Sequence, residues 1–168
     1  ANNEIGTIQP IQEIGALCKK HNIIFHVDAA QTLGKRKIDV NHMNIDLLSI
    51  SGHKLYGPKG IGALYINNSK NIILDSLIVG GGQELNIRSG TLPVPLIVGF
   101  GSACTIAKSL MQKESQKILE LRDEELGLRK SFTAGLVPES ASRFASTPCL
   151  SVGSSTPVTC ILTMLCVR

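Results

Sequence analysis

Lys54 closes the run Ser51-Gly52-His53-Lys54, directly after the apolar stretch Asp46-Leu47-Leu48-Ser49-Ile50. A lysine amine can form a Schiff base with an aldehyde. Ser51 and His53 beside it supply a hydroxyl and an imidazole, groups that bind phosphate. Asp28 ends another apolar run, Ile23-Ile24-Phe25-His26-Val27. A carboxylate there can hold a proton on a ring nitrogen, and Gln31 or Asn3 can meet a ring hydroxyl. Each of these types also ends strands in many unrelated proteins, and Ser51 with His53 could simply cap one. His26 and Asp28 lie on one strand face, the beginning of a metal pair. No third ligand stands at suitable spacing, so no metal is expected and a satisfied core histidine is the better reading of His26.

The elements that would carry these residues follow from local pattern. Pro10 suits a first helical turn, and Ile11, Ile14, Leu17 and Cys18 recur at helical spacing before Lys19, Lys20 and His21. Ile23–Val27, ending at Asp28, reads as a buried strand. Asp46–Ile50 and Gly62–Ile66 read as two more, with Asn67-Asn68 as a turn after the last. Gly80-Gly81-Gly82 and Arg88-Ser89-Gly90-Thr91 belong to a long polar loop of the kind that is usually functional or mobile. Residues 94–126 form a helical stretch with a break. Strands alternating with helices predict an α/β fold: a partial α/β/α sandwich around a mostly parallel sheet. Polar residues at the carboxyl ends of its strands are where such sheets bind ligands.

The bulk numbers set the frame. A chain of 168 residues holds one domain. Its net charge of +4 is modest. Lys35-Arg36-Lys37 lacks the interleaved aromatics of a nucleic-acid platform, so no nucleic acid is expected. No apolar run looks long enough to span a bilayer, so no membrane partner is expected. The five cysteines are scattered and form no CxxC pair, which speaks against a disulfide framework or zinc ribbon and for a reducing, intracellular setting. The chain starts at Ala1 with no signal peptide, as a fragment or processed chain would.

Longer blocks sharpen the reading. Ala1-Asn2-Asn3-Glu4-Ile5-Gly6, Phe25-His26-Val27-Asp28-Ala29-Ala30-Gln31, Ser49-Ile50-Ser51-Gly52-His53-Lys54-Leu55-Tyr56-Gly57-Pro58-Lys59-Gly60, Gly80-Gly81-Gly82-Gln83-Glu84 and Arg88-Ser89-Gly90-Thr91-Leu92-Pro93 resemble, in order and spacing, successive blocks of the cysteine desulfurases. These are fold-type I enzymes that use pyridoxal 5'-phosphate. The resemblance holds over residues 1 to about 112. It implies that Lys54 is the Schiff-base lysine and the base that moves protons on the substrate. Asp28 resembles the partner of the pyridinium nitrogen, Gln31 the group on the ring hydroxyl, and Asn3 a cofactor- or substrate-facing amide. Ser51 and His53 resemble phosphate ligands. Thr91 resembles the threonine that reaches the phosphate of a neighbouring subunit, which implies a homodimer. The implied activity converts L-cysteine to L-alanine and passes sulfur to a protein cysteine as persulfide. Iron–sulfur scaffolds or other sulfur acceptors are then partners, in mitochondria or a bacterial-type cytoplasm.

Gly101-Ser102-Ala103-Cys104-Thr105 looks like the loop that carries the family's catalytic cysteine, but it follows Lys54 too soon. On a helix, Cys104 reads as a small buried hydrophobe. The resemblance also implies that the upstream phosphate turn, the ring-stacking histidine and the C-terminal small domain have no counterpart here. Residues 1–126 are then a partial cofactor-binding large domain, and residues 127–168 a divergent, poorly ordered tail. Such a piece is expected to be inactive alone. Alternatives are a non-catalytic chain pairing with a full-length subunit, or a related selenocysteine lyase or aminotransferase.

Overall fold

Helix α1, Ile11–Lys20, begins after Pro10 and carries Lys19 and Lys20 in its last turn, as its sequence predicts. Asn22 stops it by taking a left-handed conformation (φ 53°), while the Ile23 N–H bonds back to the Cys18 carbonyl at 2.8 Å. The computed structural model describes residues 1–132 and 159–161. Within them strands β1 (His26–Asp28), β2 (Leu47–Ser51), β3 (Gly62–Ile66) and β4 (Thr159–Ile161) form one sheet in that order. Helix α2, Val94–Phe132, runs without the expected break.

The α/β character stands, and the sheet is mixed rather than mostly parallel among the described strands. Only β1 and β2 pair in parallel; β2–β3 and β3–β4 are antiparallel. The cause is the connection. A parallel return needs a long crossover, commonly a helix, and residues 52–61 between β2 and β3 contain only a 3-10 turn and a loop. Strand β1 is also shorter and more open than expected. Ile23 and Ile24 precede its ladder and are each 55% exposed. The expected tail begins inside α2, which continues to Phe132, and residues 159–161 lie against β3. The rest of that tail lies outside the described residues.

Strand alternation divides the sheet into two unlike faces. Val27, Leu48, Ile50, Ala63 and Tyr65 share one, set by the β1–β2 and β2–β3 registers. Both helices use it. Ile11 of α1 joins the cluster around Ala29, Ile45 and Leu48; Phe100 of α2 is buried with Leu55, Ile61 and Ala63. An 18-residue stretch of α2 has mean hydropathy 1.5, enough by length and composition to cross a bilayer, which corrects the expectation that no such run exists. Its Leu96, Ile97, Phe100, Cys104 and Ala107 are packed on the sheet side, as a core helix requires. The other face carries Leu47, Leu64 and Ile66 at one end, under Ile72, Leu74 and Ile87. The same face carries His26 beside Leu47 and Ser49 beside Leu64, and Asp28 and Ser51 continue it toward the opposite end.

Asp46 locks the register. Its carboxylate is buried, accepts the Phe25 N–H at 2.9 Å, and pairs with the Lys70 ammonium at 2.9 Å. Its own main chain bonds to Phe25 and Asn67. Burial first, and then this carboxylate, push the Tyr65 phenol above its ordinary value. The folded state therefore holds that proton more tightly. The stability this gives is present below the ordinary phenol range and is lost as pH rises through the raised one.

Two outcomes are expected in urea unfolding. Asp46→Ala strands the part-buried Phe25 N–H and should lower stability by about 1–3 kcal/mol. Gly15→Ala should improve helix propensity by about 1 kcal/mol, yet its new methyl would run into the Met43 carbonyl oxygen, with the Phe25 ring 3.4 Å away. Overpacking against backbone costs about 1–3 kcal/mol, so the net effect should be destabilising; an unchanged or raised midpoint would contradict this packing.

Candidate active site

The polypeptide around Lys54 is held from both sides. Ser51 ends β2, and a 3-10 turn, Gly52–Leu55, follows at once. The Gly52 N–H donates to the Ile61 carbonyl at 2.9 Å, and the Gly57 N–H closes the turn onto the Gly52 carbonyl at 3.1 Å. No side chain fits at Gly52: a Cβ would stand 2.8 Å from Ile61 Cγ2 and 2.9 Å from its carbonyl oxygen. Leu55 is buried in the cluster with Phe100. Tyr56 ends the turn in a left-handed conformation, φ 60°. Lys54 therefore rises from a backbone fixed on both sides, at Gly52 two residues before it and at Leu55 directly after. Its ammonium makes no hydrogen bond or ion pair among the described residues.

Ser51 Oγ and His53 Nδ1 lie 3.0 Å apart, so the two expected phosphate ligands are brought together. Asp28 stands at the exposed end of β1, opposite Ser49. One of its oxygens accepts the Ala30 N–H at 2.9 Å. The Ala29 N–H donates to the Ser49 carbonyl at 2.9 Å and carries the β1–β2 ladder one step past Asp28. Asn3, Asp28 and Gln31 line one cleft of about 1490 Å³, together with His26. Lys54 lines a smaller neighbouring concavity of about 370 Å³, between the 33–35 segment and α2. Lys35, Met111, Ser115 and Leu119 wall both. Asn3, Asp28 and Gln31 are thus assembled on one side and Lys54 on the other, with the Ser51–His53 pair at the strand end between β1's neighbour and the turn.

Thr91 stands apart, exposed in the segment before α2. The loop ahead of it is braced. Ser89 N–H bonds to the Ile78 carbonyl at 2.9 Å, Gly90 N–H to Gln83 Oε1 at 2.9 Å, and Gly82 N–H to Ser89 Oγ at 3.3 Å. Arg88 is buried and donates to the Gly90 carbonyl at 3.2 Å, which makes it a loop-ordering residue. Cys104 is half-buried on α2 against the Leu55–Phe100 cluster and lines neither concavity, in keeping with its reading as a small hydrophobe. His26 corrects the sequence reading. It is exposed, not a core residue, and its Nε2 lies 2.7 Å from Ser49 Oγ. The alternation of His26 with Asp28, and of Ser49 with Ser51, is the signal that could have placed all four on one face.

Comparison with known proteins places this arrangement. The sequence model of the family described as aminotransferase class-V matches residues 1–153. A mitosomal cysteine desulfurase of Trachipleistophora hominis is 62% identical over 113 residues, covering 67% of this chain and 26% of that protein. The crystal structure of a NifS-like protein from Rickettsia africae superposes with a TM-score of 0.72 at 39% identity, over 77% of this chain and 36% of that one. A structure described as SspA in complex with cysteine gives 0.61 at 55% identity, over 71% and 35%. The chain spans about a quarter to a third of the length of these relatives. With the match covering most of its residues, the chain belongs to the class-V aminotransferase family, in which the relatives it resembles include cysteine desulfurases.

Proposed function

We propose that this chain is the cofactor-anchoring part of a cysteine desulfurase that uses pyridoxal 5'-phosphate. The observation that carries the reading is Lys54 itself: an amine with no partner among the described residues, on a pinned turn next to a Ser51–His53 pair, with the Asp28 carboxylate on the adjoining strand. The donor set fits the cofactor. It offers one amine for an aldehyde, one carboxylate with a free oxygen for a ring nitrogen, a hydroxyl and an imidazole for a phosphate, and two amides in the Asp28 cleft. When bound, the cofactor accepts the electron pair released at the substrate carbon.

The residues of the chain do the rest. Asp28 keeps the ring nitrogen protonated, and Ser51 and His53 hold the phosphate. Gln31 meets the ring hydroxyl, and Asn3 faces cofactor or substrate. Lys54 would hold the cofactor's aldehyde carbon and would move protons on the substrate. The C–S bond of L-cysteine breaks, a proton takes the place of sulfur to give L-alanine, and a protein thiol takes the sulfur as persulfide. Thr91 lies on an exposed loop from which it would reach the phosphate of a second subunit, so the working unit is a homodimer. Sulfur-acceptor proteins such as iron–sulfur scaffolds are the downstream partners, within the cell. Residues 1–126 form part of the large domain, with residues 127–168 as a divergent tail.

Incubated with pyridoxal 5'-phosphate, the chain should develop the visible absorption band of the lysine-bound cofactor. Lys54→Ala should abolish the band, and Lys59→Ala, whose ammonium lies outside both concavities, should keep it. An equal band in Lys54→Ala would overturn the anchor. The 168-residue polypeptide alone should release no sulfide from L-cysteine, because the thiols among its described residues, Cys18 and Cys104, line neither concavity. Turnover that survives in Cys104→Ala would show that a thiol elsewhere in the chain serves as acceptor.

A further inference from the structure

We infer that His26 and Ser49 form a positioning pair that sets Asp28 against the Lys54 turn; this rests on the cofactor reading above. Strand β1 meets β2 over three register pairs, ending with Asp28 opposite Ser49. Core packing of Val27 and Ala29 helps to seat the strand, and side-chain ties between β1 and β2 add to what fixes Asp28 relative to Lys54. His26 Nε2 to Ser49 Oγ, at 2.7 Å, is such a tie. It runs diagonally, since His26 is in register with Leu47, and it spans the step that ends at Asp28. His26 and Asp28 are two residues apart on one face, roughly 6.6 Å along the strand. Both line the larger cleft.

The pair also joins two different parts of the site. On the β2 side, Ser49 is followed on the same face by Ser51, whose hydroxyl meets His53, the residue before Lys54. One end of the tie thus adjoins the proposed ring-nitrogen partner, and the other adjoins the proposed phosphate ligands. His26 touches neither ring nor phosphate in this account. It acts through Asp28 by fixing the distance across which both ends of one rigid cofactor must be held. A rigid ligand bound at two ends is sensitive to such a distance, because a mismatch at one end loses contacts there.

Amide hydrogen exchange and cofactor titration test this on the full chain. In His26→Ala and in Ser49→Ala, the Ala29 N–H, which bonds to the Ser49 carbonyl, should exchange about two- to tenfold faster, the scale of one lost hydrogen bond. The pyridoxal-phosphate dissociation constant should rise by a similar factor. The double variant should be no worse than either single one, and Ser49→Thr, which keeps the hydroxyl, should restore both readouts. Unchanged exchange at Ala29 in both single variants would overturn the pair, whatever the cofactor does. So would additive losses in the double variant or no recovery with Ser49→Thr. If the unaltered chain takes up no cofactor, the function proposed above fails, while the exchange measurement still decides whether the tie holds the strands. If an alanine variant fails to fold, His26→Phe and Ser49→Cys, which keep the bulk of each side chain and remove or weaken the bond, carry the same comparison.

Discussion

The buried carboxylate of Asp46 is the constraint on which the rest of the sheet depends. A charge out of water is costly unless it is paired and hydrogen-bonded. Here the Phe25 N–H comes from the segment entering β1, and Lys70 from the turn after β3. Main-chain bonds from Asp46 reach Phe25 on one side and Asn67 on the other. Three strands are thereby tied at one end. A slip of one residue would turn every side chain to the opposite face and would also strand this charge. Because Leu47 follows directly, the alternation Leu47, Ser49, Ser51 against Leu48, Ile50 is set from this point.

What the alternation produces is a division of labour between faces. The apolar face takes both helices, and the polar end of the other face is left for chemistry. Had the register moved by one, Ser49 and Ser51 would lie under α2, and Leu48 and Ile50 would face the cleft. The packing of Phe100 and Leu55 also reaches the site, because Leu55 is the residue after Lys54. The hydrophobic effect that seats α2 therefore restrains the lysine turn. Gly52 and Gly57 complete this restraint by close approach, with no room for a side chain at either.

The parts legible in the sequence are the ones encoded locally. Helix α1, the positions of β2 and β3, and the association of Ser51 with His53 follow from periodicity and from adjacency along the chain. The direction of β3 was not legible, because a run of apolar residues has the same pattern in parallel and antiparallel pairing. Nor was the exposure of Ile23, Ile24 and His26, which depends on what lies beside β1 and not on its own residues. By local pattern Asp46 is no more than the first residue of a strand. Its partner Lys70 stands 24 positions away and cannot be matched to it by any local rule.

The same distinction applies inside the proposed site. Lys54, His53 and Ser51 are within three positions of one another, on a turn closed by its own backbone bonds. Their mutual geometry is local and persists wherever that turn is folded. Asp28 ends β1, with Asn3 and Gln31 in the same cleft, and its relation to the turn is made by pairing and packing between segments far apart in the chain. Loss of pairing at β1 would move the carboxylate and leave the lysine in place. A ligand held at both ends would then stabilise the pairing of β1 with β2, since a ligand that binds only the paired state shifts the equilibrium toward it. The lysine turn is thus built by bonds local in the chain, whereas the place of Asp28 depends on contacts between distant segments, which a ligand spanning the two would reinforce.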